Sequence, residues 1–115
     1  MRENQLRPID QVLKLPIGLS GLCAGLRGAS AALYSSNPDL SEMLKKEAAD
    51  FEYLRAHRAC IESDDPSLPP EDALAIEFVE WQMKQRREAL ALALARADQI
   101  LGRAELLSYF QRSNV

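Results

Sequence analysis

The chain has one histidine and two cysteines in 115 residues, and that scarcity excludes most of the chemistry a small protein performs. A metal centre needs several imidazole, thiolate or carboxylate ligands at short spacing, whereas Cys23 and Cys60 belong to no CxxC and no Cys/His cluster. Both cysteines are read as small buried hydrophobes in a reducing cytoplasm, since a bridge would need their Cα atoms within about 7 Å. His57 falls near the end of a predicted helix, where the dipole favours a partly cationic imidazole, and is read as a surface residue. No nucleophile stands beside a base, and no acid and base are paired. Gly18, Gly21, Gly25 and Gly28 spell GxxGxxxGxxG, which is neither a dinucleotide fingerprint nor a phosphate loop, and no strand precedes it. No catalytic residue, no metal and no cofactor are expected.

A basic excess is also missing. Lysine and arginine number 14 against 17 acids, whereas a chain that gains affinity by neutralising phosphates carries a clear positive face. The clusters Arg55, His57, Arg58 and Lys84, Arg86, Arg87 lie among carboxylates without interleaved aromatics, so they are read as solvated helix faces and nucleic acid is not expected as a ligand. The segment Ser63-Asp64-Asp65-Pro66-Ser67-Leu68-Pro69-Pro70 is acidic, but it lacks the central glycine and ligand order of a calcium loop and reads as a turn.

Long uninterrupted hydrophobic runs are lacking as well. Leu15 to Tyr34 is mostly apolar, follows Arg2, Arg7 and Lys14, and contains the small-residue pattern Ala29-Ser30-Ala31, so an exported or membrane-associated reading of this stretch exists. Against it stand Glu3 and Asp10 in the leading region, the diluting glycines and Arg27 within the run. A cytoplasmic location is the expectation.

What remains is helical periodicity. Apolar residues make up 47% of the chain, too many for a disordered segment, so one packed domain over 1–115 is expected. Residues 1–8 are polar and expected to be loosely ordered, with Ile9, Val12 and Leu15 forming a short turn before Pro16. The fold class is all-α, with three main helices at about 16–35, 38–62 and 70–112 and a proline-rich interhelix loop at 63–69. In the first helix Leu15, Leu19, Leu22, Leu26, Ala29 and Leu33 recur at spacings of four and three, which keeps one seam facing a partner. Beside it run Gly18, Gly21, Gly25, Gly28 and Ala32, an edge with almost no side chains. Each interior glycine costs about 1 kcal/mol relative to alanine, so close packing must compensate. Packing against helix 2 or 3 of the same chain is favoured over a groove for another protein. Asn37 is the expected N-cap of helix 2, with Pro38 at its first position and Asp39 favourable to the dipole; Leu40, Met43, Leu44, Phe51, Leu54 and Ile61 form its buried face.

The third helix carries the functional expectation. From Pro70 to Gly102 it would be about 50 Å long, more than the roughly 35 Å diameter of a domain this size. Its apolar residues fall on two opposed stripes. Ile76, Val79, Met83, Leu90, Leu94, Ala97 and Leu101 form the first. Leu74, Phe78, Trp81 and Leu92, resumed by Phe110, form the second, interrupted by Gln85 and Arg96. Glu77, Glu80, Lys84 and Glu88 run between them. A helix apolar on both sides is covered on both, so the second stripe is expected to meet another protein or a second copy in a homodimer. The reading is a helical interaction module, a small regulatory protein of the anti-activator type that sequesters a transcription regulator. A secretion chaperone or assembly subunit is the alternative.

Overall fold

Asn37 shows how local sequence sets the element boundaries. In the computed structural model, which describes residues 6–64, 67–69, 75–82 and 84–112, its side-chain oxygen accepts from the Leu40 amide at 3.1 Å and Pro38 follows in the first turn. A donor that the helix itself cannot satisfy is thereby satisfied. The described residues are helical with no strand: α1 (Pro8–Lys14), α2 (Gly18–Leu33), α3 (Pro38–Ala56), α4 (Arg58–Asp64), α5 (Ala75–Gln82), α6 (Lys84–Leu101) and α7 (Arg103–Arg112).

The turn expected around Ile9 and Val12 is a full short helix. Proline presets the backbone at its start, and Ile9, Val12 and Leu13 are completely buried along one face. Within the segment 1–8, Pro8 is buried and the Leu6 carbonyl accepts from Arg103 at 2.8 Å. Residues 1–5 lie outside the described residues. The first long helix begins at Gly18 rather than Pro16, because the Ile17 amide bonds back to the Leu15 carbonyl at 2.8 Å and Gly18 enters with φ +65, a conformation that suits glycine. Its predicted seam is the core: Leu19, Leu22, Leu26, Ala29 and Leu33 are all buried.

Helix 2 does not run unbroken to Glu62. The backbone leaves the helical region at His57, after the last fully buried side chain of its stripe, Phe51, and resumes as α4. Beyond Phe51 too little apolar surface remains to hold one straight axis against the core. The 63–69 loop begins later than expected, since Ser63 and Asp64 end α4, and Leu68 packs on the core.

The expected 70–112 helix is the main correction. Residues 70–74 and 83 lie outside the described residues, and among the described ones the helix breaks at Gly102, where φ is +89. The last ten helical residues leave the α6 axis and pack on α2. Arg103 pins this bend: its guanidinium holds the Asp98 carboxylate at 3.0 and 3.2 Å and also reaches the Leu6 carbonyl and Gln11 on the α1 side. Among the described residues no overhang results, and the principal extents are 41 × 34 × 30 Å. The first stripe lies inward as expected, with Val79, Leu90, Leu94 and Ala97 fully buried and Ile76 and Leu101 packed beside them. Met83 lies outside the described residues.

Candidate functional site

Of the five residues expected to form one interface, Leu74, Phe78, Trp81, Leu92 and Phe110, those described are not displayed together on one surface. Phe110 is fully buried in the chain's own core, because the bend at Gly102 carries it onto α2 and leaves it unavailable to a partner. Trp81 is half-buried against the same core. Leu74 and the side chain of Phe78 lie outside the described residues. Of the described members, Leu92 alone is displayed, 57% exposed on α6.

The glycine strip has an intramolecular role. A Cβ on Gly25 would overlap the Phe110 ring, and one on Gly28 would come within 3.3 Å of Tyr109. α7 thus approaches α2 where α2 lacks side chains, which offsets the conformational cost of those glycines. Gly21 accommodates Ile17 from the preceding turn, and Gly18 serves the helix entry.

Around Leu92 the surface is concave. Met43, Lys46 and Glu47 of α3 and Ala89, Leu92 and Ala93 of α6 line a hollow of about 200 Å³ between the two helices. Two alanines one turn apart form its floor, so the space exists because α6 is locally without bulk. Arg96, one turn beyond Leu92, donates to the Met43 sulfur at 3.7 Å. Among the described residues neither Lys46 nor Arg96 forms an ion pair, so two cations stand at a mostly apolar hollow whose lining also includes the Glu47 carboxylate. Sequence reasoning placed Met43 on the buried face of helix 2 and weighed neither alanine. The alternation Ala89-Leu90-Ala91-Leu92-Ala93 was the available signal, since on a helix it sets small residues beside an outward leucine.

A second, more open hollow of about 440 Å³ lies between α2 and α3, lined by Arg27, Ser30, Ala31, Tyr34, Ser41, Glu42 and Lys45. Three of its polar side chains, Arg27, Ser30 and Ser41, are already engaged. Ser30 and Ser41 bond reciprocally, and the Arg27 guanidinium grips Glu52 through two hydrogen bonds, one of 2.8 Å. That bond holds the Glu52 carboxyl below the ordinary glutamate range and raises Arg27.

The remaining candidates are dispersed. Cys23 is buried, and burial pushes its thiol up to about 12, with the nearby Glu52 charge adding to the rise. Cys60, expected to be buried, is exposed on α4, a helix that places no side chain in the core. Both are free thiols. His57 is exposed at the end of α3, stacked on Tyr53 with ring centroids 4.2 Å apart. Arg87, read as a solvated cation, instead pairs with Asp10 at 3.0 Å and joins α6 to α1. Among the described residues no group of three His, Cys, Asp or Glu side chains gathers to hold a metal ion, and no helix is long and apolar enough to cross a membrane. No family model, no curated protein and no solved structure matches this chain.

Proposed function

We propose that the chain is a non-enzymatic interaction module that seats one helix of another protein in the hollow between α3 and α6. The observation that supports this reading is the Leu92 hollow: small residues on its floor, an exposed leucine on its lip, and Lys46 and Arg96 beside it without carboxylate partners among the described residues. A helix laid between two helices buries an apolar stripe, and carboxylates on its flanks meet the two cations. The client is therefore an amphipathic helix with acidic edges. Covering such a helix on a transcription regulator removes a surface the regulator needs, which is the anti-activator mode of action, and it places the protein in the cytoplasm with its client. Catalysis and cofactors have no part in it.

The test is site-specific photo-crosslinking in the cells that make the protein, with a benzophenone amino acid in place of the exposed Ala49, about one turn beyond Lys46 on α3. A single adduct with a second protein is expected, lost when Ala89→Trp fills the hollow, and that protein, once purified, loses DNA binding when the chain is added. An adduct with an exported protein would replace the regulator by a secretion client. No heterologous adduct would overturn the reading.

A further inference from the structure

The outer face of α6 reads the same in both directions once charge is allowed for. Four positions on either side of Leu92 stand Glu88 and Arg96, both exposed and opposite in charge; three positions on either side stand Ala89 and Ala95. Along an α-helix these pairs lie about 6 Å and about 4.5 Å above and below Leu92 on one side of the cylinder. A twofold axis through Leu92 and perpendicular to the helix would bring each group opposite its counterpart on a second, antiparallel helix: Glu88 against Arg96, Arg96 against Glu88, alanine against alanine, leucine against leucine. In a closed twofold interface residue i meets j and j meets i, so a pattern of this kind is self-complementary. Ala89 and Ala95 leave room for the axes to approach within about 8 Å.

We infer that a second copy of this chain covers this face, with α6 packed antiparallel on α6 of its partner about Leu92 and two Glu88–Arg96 ion pairs closing the flanks. Two observations favour this occupant. Leu92, 57% exposed, is the most exposed large apolar side chain on the described part of α6. Neither Glu88 nor Arg96 forms an ion pair within the chain among the described residues, and the one bond given for Arg96 is its weak contact with the Met43 sulfur. The inference stands on the α6 pattern and does not require the client reading. If both hold, the dimer hides Leu92, and a client must displace the second copy.

The test is absolute mass by light scattering behind a size-exclusion column, across a dilution series of the full chain at low salt. Wild type is expected at twice 12.8 kDa. Glu88→Arg sets two arginines against each other at both flanks, and Arg96→Glu sets two glutamates. Each variant alone is expected to dissociate at roughly tenfold or higher concentration than wild type. Mixing the two variants restores opposite charges at both flanks and restores the doubled mass, as does the double reversal Glu88→Arg/Arg96→Glu in one chain. Both side chains are exposed, so helical content by circular dichroism stays at the wild-type level in every variant. Wild type at a single mass throughout would overturn the inference. So would a dimer that ignores the single reversals, or single-reversal chains that fail to recover on mixing. The crosslinked client is a separate readout: losing it sinks the client reading and leaves the dimer standing, and the converse also holds.

Discussion

Ser30 and Ser41 face each other where α2 crosses α3, and each hydroxyl donates to the other's backbone carbonyl at 2.7 Å. The two oxygens lie 2.9 Å apart, yet each hydroxyl carries one proton, so the two carbonyl bonds use the whole supply. Both residues are buried, and serine is small enough to let the helix axes approach there while satisfying its own polarity.

Removing either hydroxyl leaves the other bond intact and creates no orphaned donor. Ser30→Ala and Ser41→Ala are each expected to cost about 1 kcal/mol, and the double variant about their sum. Ser41→Val adds bulk at the crossing and is expected to cost about 2 kcal/mol or more. Urea unfolding with an unchanged m-value measures all four; alanine variants as stable as wild type would show that the pair does not hold the crossing.

Gly25 and Phe110 form a second close approach. Alanine in a helix gains about 1 kcal/mol of propensity over glycine, but at Gly25 it would meet the Phe110 ring, so Gly25→Ala is expected to lose about 1–3 kcal/mol net. Adding Phe110→Leu recovers part of that loss relative to the single variants. Gly102→Ala has no atom to strike within 4 Å, and its cost of about 1 kcal/mol is conformational, from φ +89. Thermal unfolding of the four variants separates steric from conformational cost.

The two thiols differ in reactivity. Cys60 is exposed and open to alkylation in the folded chain; Cys23, buried and raised to about 12, reacts only as the chain opens. Mass spectrometry after brief iodoacetamide treatment is expected to show one label, and a second in urea. The raised value also carries a sign for stability. The unfolded thiol ionises at its ordinary pKa while the folded one stays neutral, so this contribution is whole below that pKa and falls by about 1.4 kcal/mol per pH unit as pH rises toward 12. A Cys23→Ala variant is expected to lose that alkaline slope.

Arg27 and Glu52 couple α2 to α3 on the acid side. Glu52 is lowered by its bond to Arg27, so its contribution is present above the ordinary carboxylate range and is lost as pH falls through the lowered folded value. The two side chains are 44% and 41% exposed, so the gain is that of a surface pair, about 0.5–1 kcal/mol, and salt reduces it. Glu52→Gln is expected to flatten that part of the acid denaturation curve; an unchanged curve would remove the pair from the account of stability.

The all-helical class, the Asn37 cap, the leucine seam of α2 and the inward stripe of Val79, Leu90, Leu94 and Ala97 were legible from the amino-acid order, because periodicity and capping act within a few residues. The end of the third helix and the location of Phe110 were decided by tertiary structure. Continuing a helix through one glycine costs about 1 kcal/mol, a weak local preference, whereas burying a phenylalanine gains about 1.5–3 kcal/mol. That gain exists only where another segment offers a space, and Gly25, 85 residues away along the chain, offers it. The same folding left Leu92 outside. Whether a given apolar side chain is core or surface depends on which helices meet, and that meeting belongs to the whole chain.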